Sequence, residues 1–552
     1  MNHPVSASPC RAQRACPSAG ARSPLDSSSP ASDLSKGRHR QPVKAGSKVS
    51  ARSVAALFAL APVLTHATPD DQPFARVQTV RPAAVEGNWT AMKMPDGGRA
   101  AFASLSYLMA LDDDWGFGPG FYGAAKGNYG GIFTVGFTGQ RRWRLSSSTH
   151  LAASLYVGAG GGVSSEQLRF GGGLMLRPEL SLRTEVGAWY TGVGLSQIRF
   201  PSGNVKSGVG LAFTLGRATS FASFSPSDAG RLGRASQRTG LAFDEIALTG
   251  GFERPRASSR DRSGAPRTQR VGKAGAELRQ YIADGSWWGV EAAGAAQGGA
   301  DGYMEVLGQI GQDWPLFGLR SLRVGGQLGA GLAGGGNLDT GNGWLLRGGP
   351  TLRWITPWGP SLRLDAGYTY APSGAYSAGY VRAVLAMPLD TAPRLLGEAP
   401  DGVVREQQLG ASVVYMPKMR FKTGAERAVT HLAVNMSREF SSWLYGSAQA
   451  GSAAAGGAGA YSFGLFGLGV QSPALWGGTR LGAEWLVGAA GGGGVQVGGG
   501  AVTQAELWAQ WPLGERLRLR AGVGEFRTVR GHDQSSTLTH LALSYAFGSL
   551  TR

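Results

Sequence analysis

Cysteine is almost missing from this chain: 552 residues hold two, Cys10 and Cys16, both close to the N-terminus. Once the leader described below is removed, none remains. That excludes disulfides, thiolate metal sites and cysteine nucleophiles. Long apolar runs are missing as well, and none approaches the ~18–20 residues of a membrane helix. Charged residues make up only 16%, too few for a disordered polyelectrolyte. The charges gather on no amphipathic helix, so no nucleic-acid partner is expected. No G-x-S-x-G, H-E-x-x-H or P-loop pattern occurs. No metal site and no cofactor is expected.

What is present is glycine, 89 residues without a collagen period, set among segments that alternate with period two. Near the C-terminus, Leu517, Leu519, Ala521 and Val523 share one face, while Arg516, Arg518 and Arg520 share the other. In the following run Leu541, Leu543, Tyr545 and Phe547 share a face. Such alternation is a strand with one apolar and one polar side.

The N-terminal region has another character. Residues 1–40 are rich in Ser, Pro, Arg and Ala and are expected to be disordered, or to result from an upstream start codon. Residues 41–67 have the order of a signal peptide: basic Lys44, Lys48 and Arg52, an apolar stretch over 54–64, then small Ala67. Residues 1–67 carry nine basic residues against Asp26 and Asp33, so a net +7 of the formal +18 lies there. The remaining +11 favours anionic partners.

From 83 onward three blocks resemble one another. Phe121-Tyr122-Gly123, Trp288-Gly289-Val290 and Trp443-Leu444-Tyr445 each open a strand that runs into a glycine turn and a second strand. Each pair is followed by a tryptophan turn (Trp143, Trp314, Trp476) and a strand ending in a glycine cluster. A leading hairpin precedes each block, at Met94-Pro95, Arg254-Pro255 and Met416-Pro417. The expected organisation is a linker at 68–82, repeat one at 83–217, a linker at 218–240, repeat two at 241–389, a linker at 390–408 and repeat three at 409–552, with eight strands per repeat. The fold class is all-β and antiparallel. The repeats form either one barrel of about 24 strands or three tandem eight-stranded barrels. Long linkers favour three. Small inward candidates (Ala152, Ser154, Gly158, Gly325, Gly329, Gly331) suit a wide lumen, and the single barrel is preferred on that ground.

A secretory leader followed by amphipathic strands, the last ending in the aromatic Phe547, resembles the bacterial outer-membrane β-barrels. Five residues trail that aromatic here, a departure from the family pattern. The leading hairpins also resemble exopolysaccharide-secretion barrels with repeated barrel units. The resemblance implies a transmembrane β-barrel in a Gram-negative outer membrane, in contact with lipid and lipopolysaccharide, delivered by the barrel-assembly machinery through the strand ending at Phe547. It also implies a pore or export conduit for polar solutes or surface polysaccharide, with periplasmic export partners. The alternative is a non-conducting structural or adhesive surface protein that binds anionic glycans.

Candidate site residues follow from the same pattern. Arg516, Arg518, Arg520, Arg363 and Asp365 oppose leucines and are expected to face the lumen, where charge tunes ion selectivity; the bland alternative is a ladder of ion pairs. Arg254, Arg256, Arg260, Arg262, Arg267 and Arg270 in one leading loop, with Lys418, Arg420 and Lys422 in its counterpart, could take phosphate or carboxylate groups of glycans, or form a solvated loop. Eight tryptophans (Trp89, Trp143, Trp189, Trp288, Trp314, Trp443, Trp476, Trp511) suit aromatic girdles at the membrane interfaces. A lipid-modifying barrel hydrolase would need His540 with Ser544, His532 with Asp533, or His431, and none has a recognised spacing; no enzyme is expected.

Overall fold

The computed structural model describes residues 78–162, 165, 167–389, 401–529 and 534–551. The N-terminal extension, the leader with both cysteines, 68–77 of the first linker, 390–400 of the last linker and the His532–Asp533 pair lie outside the described residues.

The first barrel comprises β1 (Thr79–Lys93), β2 (Arg99–Ala110), β3 (Trp115–Lys126), β4 (Phe133–Arg144), β5 (Thr149–Gly161), β6 (Leu174–Val186), β7 (Trp189–Ser196) and β8 (Gly210–Ser223). A short β9 (Leu232–Arg234) follows. The second comprises β10 (Glu245–Pro255), β11 (Val271–Tyr281), β12 (Ser286–Gln297), β13 (Met304–Leu316), β14 (Leu319–Gly334), β15 (Trp344–Ile355), β16 (Ser361–Tyr370) and β17 (Ser377–Pro388). The third comprises β18 (Asp401–Arg420), β19 (Glu426–Glu439), β20 (Leu444–Ala455), β21 (Ser462–Gln471), β22 (Arg480–Gly491), β23 (Ala501–Pro512), β24 (Leu517–Thr528) and β25 (Ser535–Thr551).

The preferred 24-stranded barrel does not form. Each eight-strand set closes on itself, β1 against β8, β10 against β17 and β18 against β25, always antiparallel. The expectation of a wide lumen failed because of what lies opposite the small inward residues. Gly216 pairs directly with Tyr190, Gly311 with Trp287, Gly469 with Tyr445 and Gly482 with Trp508. In each pair a Cβ on the glycine would overlap the aromatic ring. The glycines are the space into which inward aromatics lie flat across the neighbouring strand.

The strands also run further than the sequence bounds. Barrel one continues to Ser223 and barrel three starts at Asp401. The linker at 218–240 supplies β9, which adds to the start of β18 and is held there by Arg234 on Asp401 at 2.7 and 2.8 Å. The last strand continues past Phe547 to Thr551.

The alternation is inside-out relative to a soluble protein. On β8, Leu211, Phe213 and Leu215 are 58, 51 and 54% exposed, whereas Ala212 and Thr214 between them are 1 and 5% exposed. Apolar out and polar in is the pattern of a strand that faces lipid. Closure leaves no barrel edge to expose unpaired backbone groups. Short turns (187–188, 317–318) and the linker at 218–240 lie at one end of the barrels; longer loops (162–173, 256–270, 335–343) lie at the other. Trp143, Trp189, Trp314, Trp443, Trp476 and Trp511 all flank turns of the short-turn end. The girdle expected at both interfaces is thus concentrated at one.

Candidate functional sites: the lumens and the joined loop ends

The lumen is built by the inward member of each alternating pair. In barrel two Arg347 reaches Glu253 and Glu291 at 3.1 Å and Glu305 at 2.5 Å. Arg363 pairs with Glu277 at 2.8 Å and Asp365 at 2.7 Å. Arg382 joins Glu291 at 2.5 Å to Asp365 at 2.8 Å, and Lys273 joins Glu253 to Glu305, both at 2.7 Å. Arg363 and Asp365 are each 1% exposed. A void of about 20 Å³ remains beside Glu253, Arg347 and Arg382, room for a single water.

Barrel one uses fewer charges. Arg177 binds Glu179 at 2.5 Å and Asn88 at 2.6 Å, and Arg183 pairs with Glu86. A vestibule of about 140 Å³ opens beside this pair, lined by Gln140, His150 and Tyr190. In barrel three Arg520 meets Glu484 at 3.1 Å and Tyr445 at 3.0 Å, and its guanidinium stacks 3.9 Å over Trp508. Arg518 sits at the mouth, 3.6 Å from Glu406 and bonded to the Gly514 and Glu515 carbonyls. Arg516 is not lumenal: it precedes β24 and reaches Ser223 of barrel one at 3.2 Å, over the outward ring of Tyr545. Sequence reading missed Glu277, Arg279, Arg347 and Arg382, although Glu277-Leu278-Arg279 has the same charge–leucine alternation that marked Arg363.

Toward the loop end each lumen becomes apolar. In barrel one Leu168, Phe170, Ile198, Phe200 and Val205 fold in from the loops onto Phe102, Tyr122 and Met175. Phe421, Ala458, Val495 and Val497 cap barrel three, and Ala300, Leu338 and Tyr376 cap barrel two. Every lumen is therefore closed twice, by paired polar groups and by a hydrophobic cap.

The histidines lie in this interior. His540 is bonded to Glu506 at 2.9 Å and to Asn435 at 3.3 Å, rather than to Ser544. His431 is buried, 3.2 Å from the Val414 carbonyl, and packs on Tyr461 and Phe463.

Glycine clusters that read as hairpin tips turn out to be joints between barrels. The β3–β4 hairpin of barrel one lies on the β14–β15 loop of barrel two, with Gly130 N–H donating to the Gly341 carbonyl at 3.0 Å. The β12–β13 hairpin of barrel two lies on the β22–β23 loop of barrel three, where a Cβ on Gly302 would meet Gly492 N at 2.7 Å. The β20–β21 hairpin of barrel three returns to the β5–β6 loop of barrel one, with Gly459 N–H on the Gly171 carbonyl at 3.0 Å. The same hairpin of each barrel meets the same loop of the next, so the three contacts close a pseudo-threefold ring. That is the heterologous closure of a cyclic trimer, achieved within one chain.

Two of the loop cations belong to these joints. Arg262 donates to the carbonyls of Asn128 at 3.1 Å and Gly130 at 3.3 Å in barrel one, while Arg267 donates to the Gly298 carbonyl within barrel two. Lys422 pairs with Asp301 of barrel two at 2.8 Å. Arg256 and Arg270 lie over Tyr368 and Phe252, Arg260 binds the Ala257 and Ser259 carbonyls, and Arg420 pairs with Glu426 at 3.4 Å. Arg254 points outward from β10, and the Lys418 backbone is tied to Ser536 and Gln534. Asp261 orders the basic loop: Ser263 Oγ at 2.6 Å, the N–H groups of Ser263 and Ala265 at 2.9 Å and Asn337 at 3.0 Å all donate to it. These donors, the Ser263 hydroxyl first, hold its carboxyl below the ordinary aspartate value.

Closed antiparallel barrels with apolar outer faces, polar interiors and tryptophans ringing the short-turn end are the architecture of an outer-membrane-type β-barrel. No protein-family model matches the chain, and no curated protein does. Among solved structures it is similar to the Pseudomonas aeruginosa OccK2 (OpdF) complex with glucuronate, at 12% identity over 86% of this chain and 100% of that one, TM-score 0.21. It is also similar to the ferric enterobactin receptor PfeA of Pseudomonas aeruginosa (11%, 86% and 82%, TM-score 0.27) and to the FrpB iron transporter of Neisseria meningitidis (8%, 85% and 81%, TM-score 0.26). Likenesses this low leave function to the chain's own geometry.

Proposed function

We propose that this chain is an integral protein of a Gram-negative outer membrane that acts as a sealed, three-barrel surface scaffold, its joined loop face turned outward and its short-turn end in the periplasm. The observation that carries this reading is the double closure of every lumen. A conduit for polar solutes or surface polysaccharide would have to part the Arg347 and Arg363 networks and lift the caps. A scaffold needs neither, and gains from lumens that hold each barrel rigid. Fusing three barrels through their loops makes one broad platform from elements that would each present only a narrow tip. Arg254, Arg260, Lys418 and Arg420 stand on that platform and suit anionic glycans, by charge-assisted hydrogen bonds to phosphate or carboxylate. Arg262 and Lys422 serve the joints instead, and Arg267 bonds within barrel two. No chemical step is assigned to His431 or His540, which are buried in the interior of barrel three. Assembly through the C-terminal strand remains part of the proposal, with Phe547 packed 4.9 Å from the Phe221 ring of barrel one.

The test is single-channel recording of the refolded chain from Thr68 onward in a planar bilayer. No stable conductance is expected, together with heat-modifiable migration of a folded barrel. A large, stable conductance whose anion preference falls on neutralising Arg518 and Arg520 would overturn the scaffold and establish the conduit.

A further inference from the structure

Between barrels one and two lies a cleft of about 880 Å³, within the roughly 300–1,000 Å³ of small-molecule sites. One wall is the outward face of barrel one, with Trp89, Leu105 and Leu215; the other is formed by Leu241, Phe243 and Trp288. Phe243 and Trp288 pack at 5.4 Å, and the Trp288 indole N–H is satisfied by Gln280 at 2.7 Å, so this wall turns apolar carbon to the cleft.

The register orders the barrel-one wall into rows. Tyr107, Val85, Arg217 and Trp189 stand side by side on four neighbouring strands. The next outward row toward the loop end is Leu105, Gly87 and Leu215, and the one after it Ala103, Trp89 and Phe213. A row with one cation and one phenol is thus followed by two rows without a charge. The polar row lies near the short-turn end, where Ala218 N–H binds the Ala188 carbonyl. Arg217 lies over the Trp189 ring at 5.6 Å and has no carboxylate partner among the described residues.

We propose that this cleft is a binding site for a glycerophospholipid of the periplasmic leaflet. Its acyl chains lie along the Leu105 and Trp89 rows, and its phosphate sits at Arg217. The inference rests on the membrane placement proposed above. Two lipid-facing walls enclose the space, so acyl chains are the medium that fills it. The cation stands at the periplasmic end of the cleft and matches an anionic headgroup there, which selects that leaflet over the lipopolysaccharide outside.

Gly87 gives a clean test, because a Cβ there meets no atom closer than 3.7 Å. Gly87→Trp fills the cleft without touching the lumen, Ala103→Leu fills it less, and Leu364→Trp places a comparable bulk on the exposed face of barrel two. The full chain would be extracted from isolated outer membranes in mild detergent, washed, and weighed by native mass spectrometry. The wild type and Leu364→Trp should retain phospholipid in a fixed ratio to protein. Retention should fall several-fold in Arg217→Gln and Ala103→Leu and vanish in Gly87→Trp, with heat-modifiability intact in all. Outer-membrane protein with no retained phospholipid, equal retention in Gly87→Trp, or lipopolysaccharide as the retained species would overturn the inference. Absence of the chain from the outer-membrane fraction would overturn the placement on which it rests.

Discussion

In barrel two the lumen is held by guanidinium and carboxylate groups that each touch two or three partners, from Lys273 to Arg382. In barrel three the equivalent space holds Gln449, Gln504, Gln510, the His540–Glu506 pair and the isolated Arg520–Glu484 bridge, below a larger apolar cluster around Val414, Phe463 and Leu486. Strand number, pairing and loop order are the same. The fold therefore asks its lumens for filled volume and satisfied polar atoms, and leaves the chemistry free. The two solutions should differ in fragility. A buried ion network is no more stabilising than an apolar core of the same volume, but removing one member strands the others. Amides and hydrocarbon fail more gently.

The largest effect should come from Glu277→Ala. Its carboxylate meets Arg279, Arg363 at 2.8 Å and Arg382 at 3.6 Å. Removing it leaves buried cations short of a partner, and about 3–5 kcal/mol of barrel-two stability should be lost. Gln504→Leu in barrel three should lose about 1 kcal/mol, the scale of a net hydrogen bond. Urea titration of the refolded chain, followed by heat-modifiable mobility, reads both. Equal losses would break the contrast.

A second, smaller pair should show where the barrels agree. Gly311→Val in barrel two and Gly482→Val in barrel three each drive methyl groups into an inward indole, Trp287 or Trp508. Overpacking of this kind is destabilising by about 1–3 kcal/mol, and it should be similar in both barrels because the cause is steric. Each tryptophan carries a stacked arginine, Arg279 at 3.3 Å and Arg520 at 3.9 Å, so a shift in indole fluorescence should accompany the loss. A loss confined to one barrel would mean that the lumen chemistry, and not the glycine–aromatic pair, sets the packing there.

This division between what alternates and what pairs also explains how far the sequence could be read. Period two separates Arg363 and Asp365 from Leu362 and Leu364, because side-chain direction is a property of one strand. It cannot give the partner of Arg363, since Glu277 lies on a strand 86 residues away. The choice between one barrel and three was lost at glycine. Gly216 and Gly482 look like vacancies until the register sets Tyr190 and Trp508 beside them. Gly130, Gly302 and Gly459 look like turns until another barrel's backbone lies against them. The joint arginine was legible as charge and illegible as a contact, because Arg262 binds carbonyl oxygens, which leave no trace in composition.

The smallest effect should lie at the joint of the two contrasted barrels. Lys422 pairs with Asp301, but its side chain is 56% exposed, and such pairs contribute about 0–1 kcal/mol and are weakened by salt. Lys422→Ala should leave both urea midpoints in place and raise hydrogen exchange over residues 298–303 only slightly, with the difference vanishing at high salt. Gly302→Val touches the same joint sterically, against Gly492, and its increase in exchange should persist at any ionic strength. If Lys422→Ala opened that hairpin as fully as Gly302→Val, the barrels would be held together by charge, and the glycine contacts would be a consequence of docking instead of its cause.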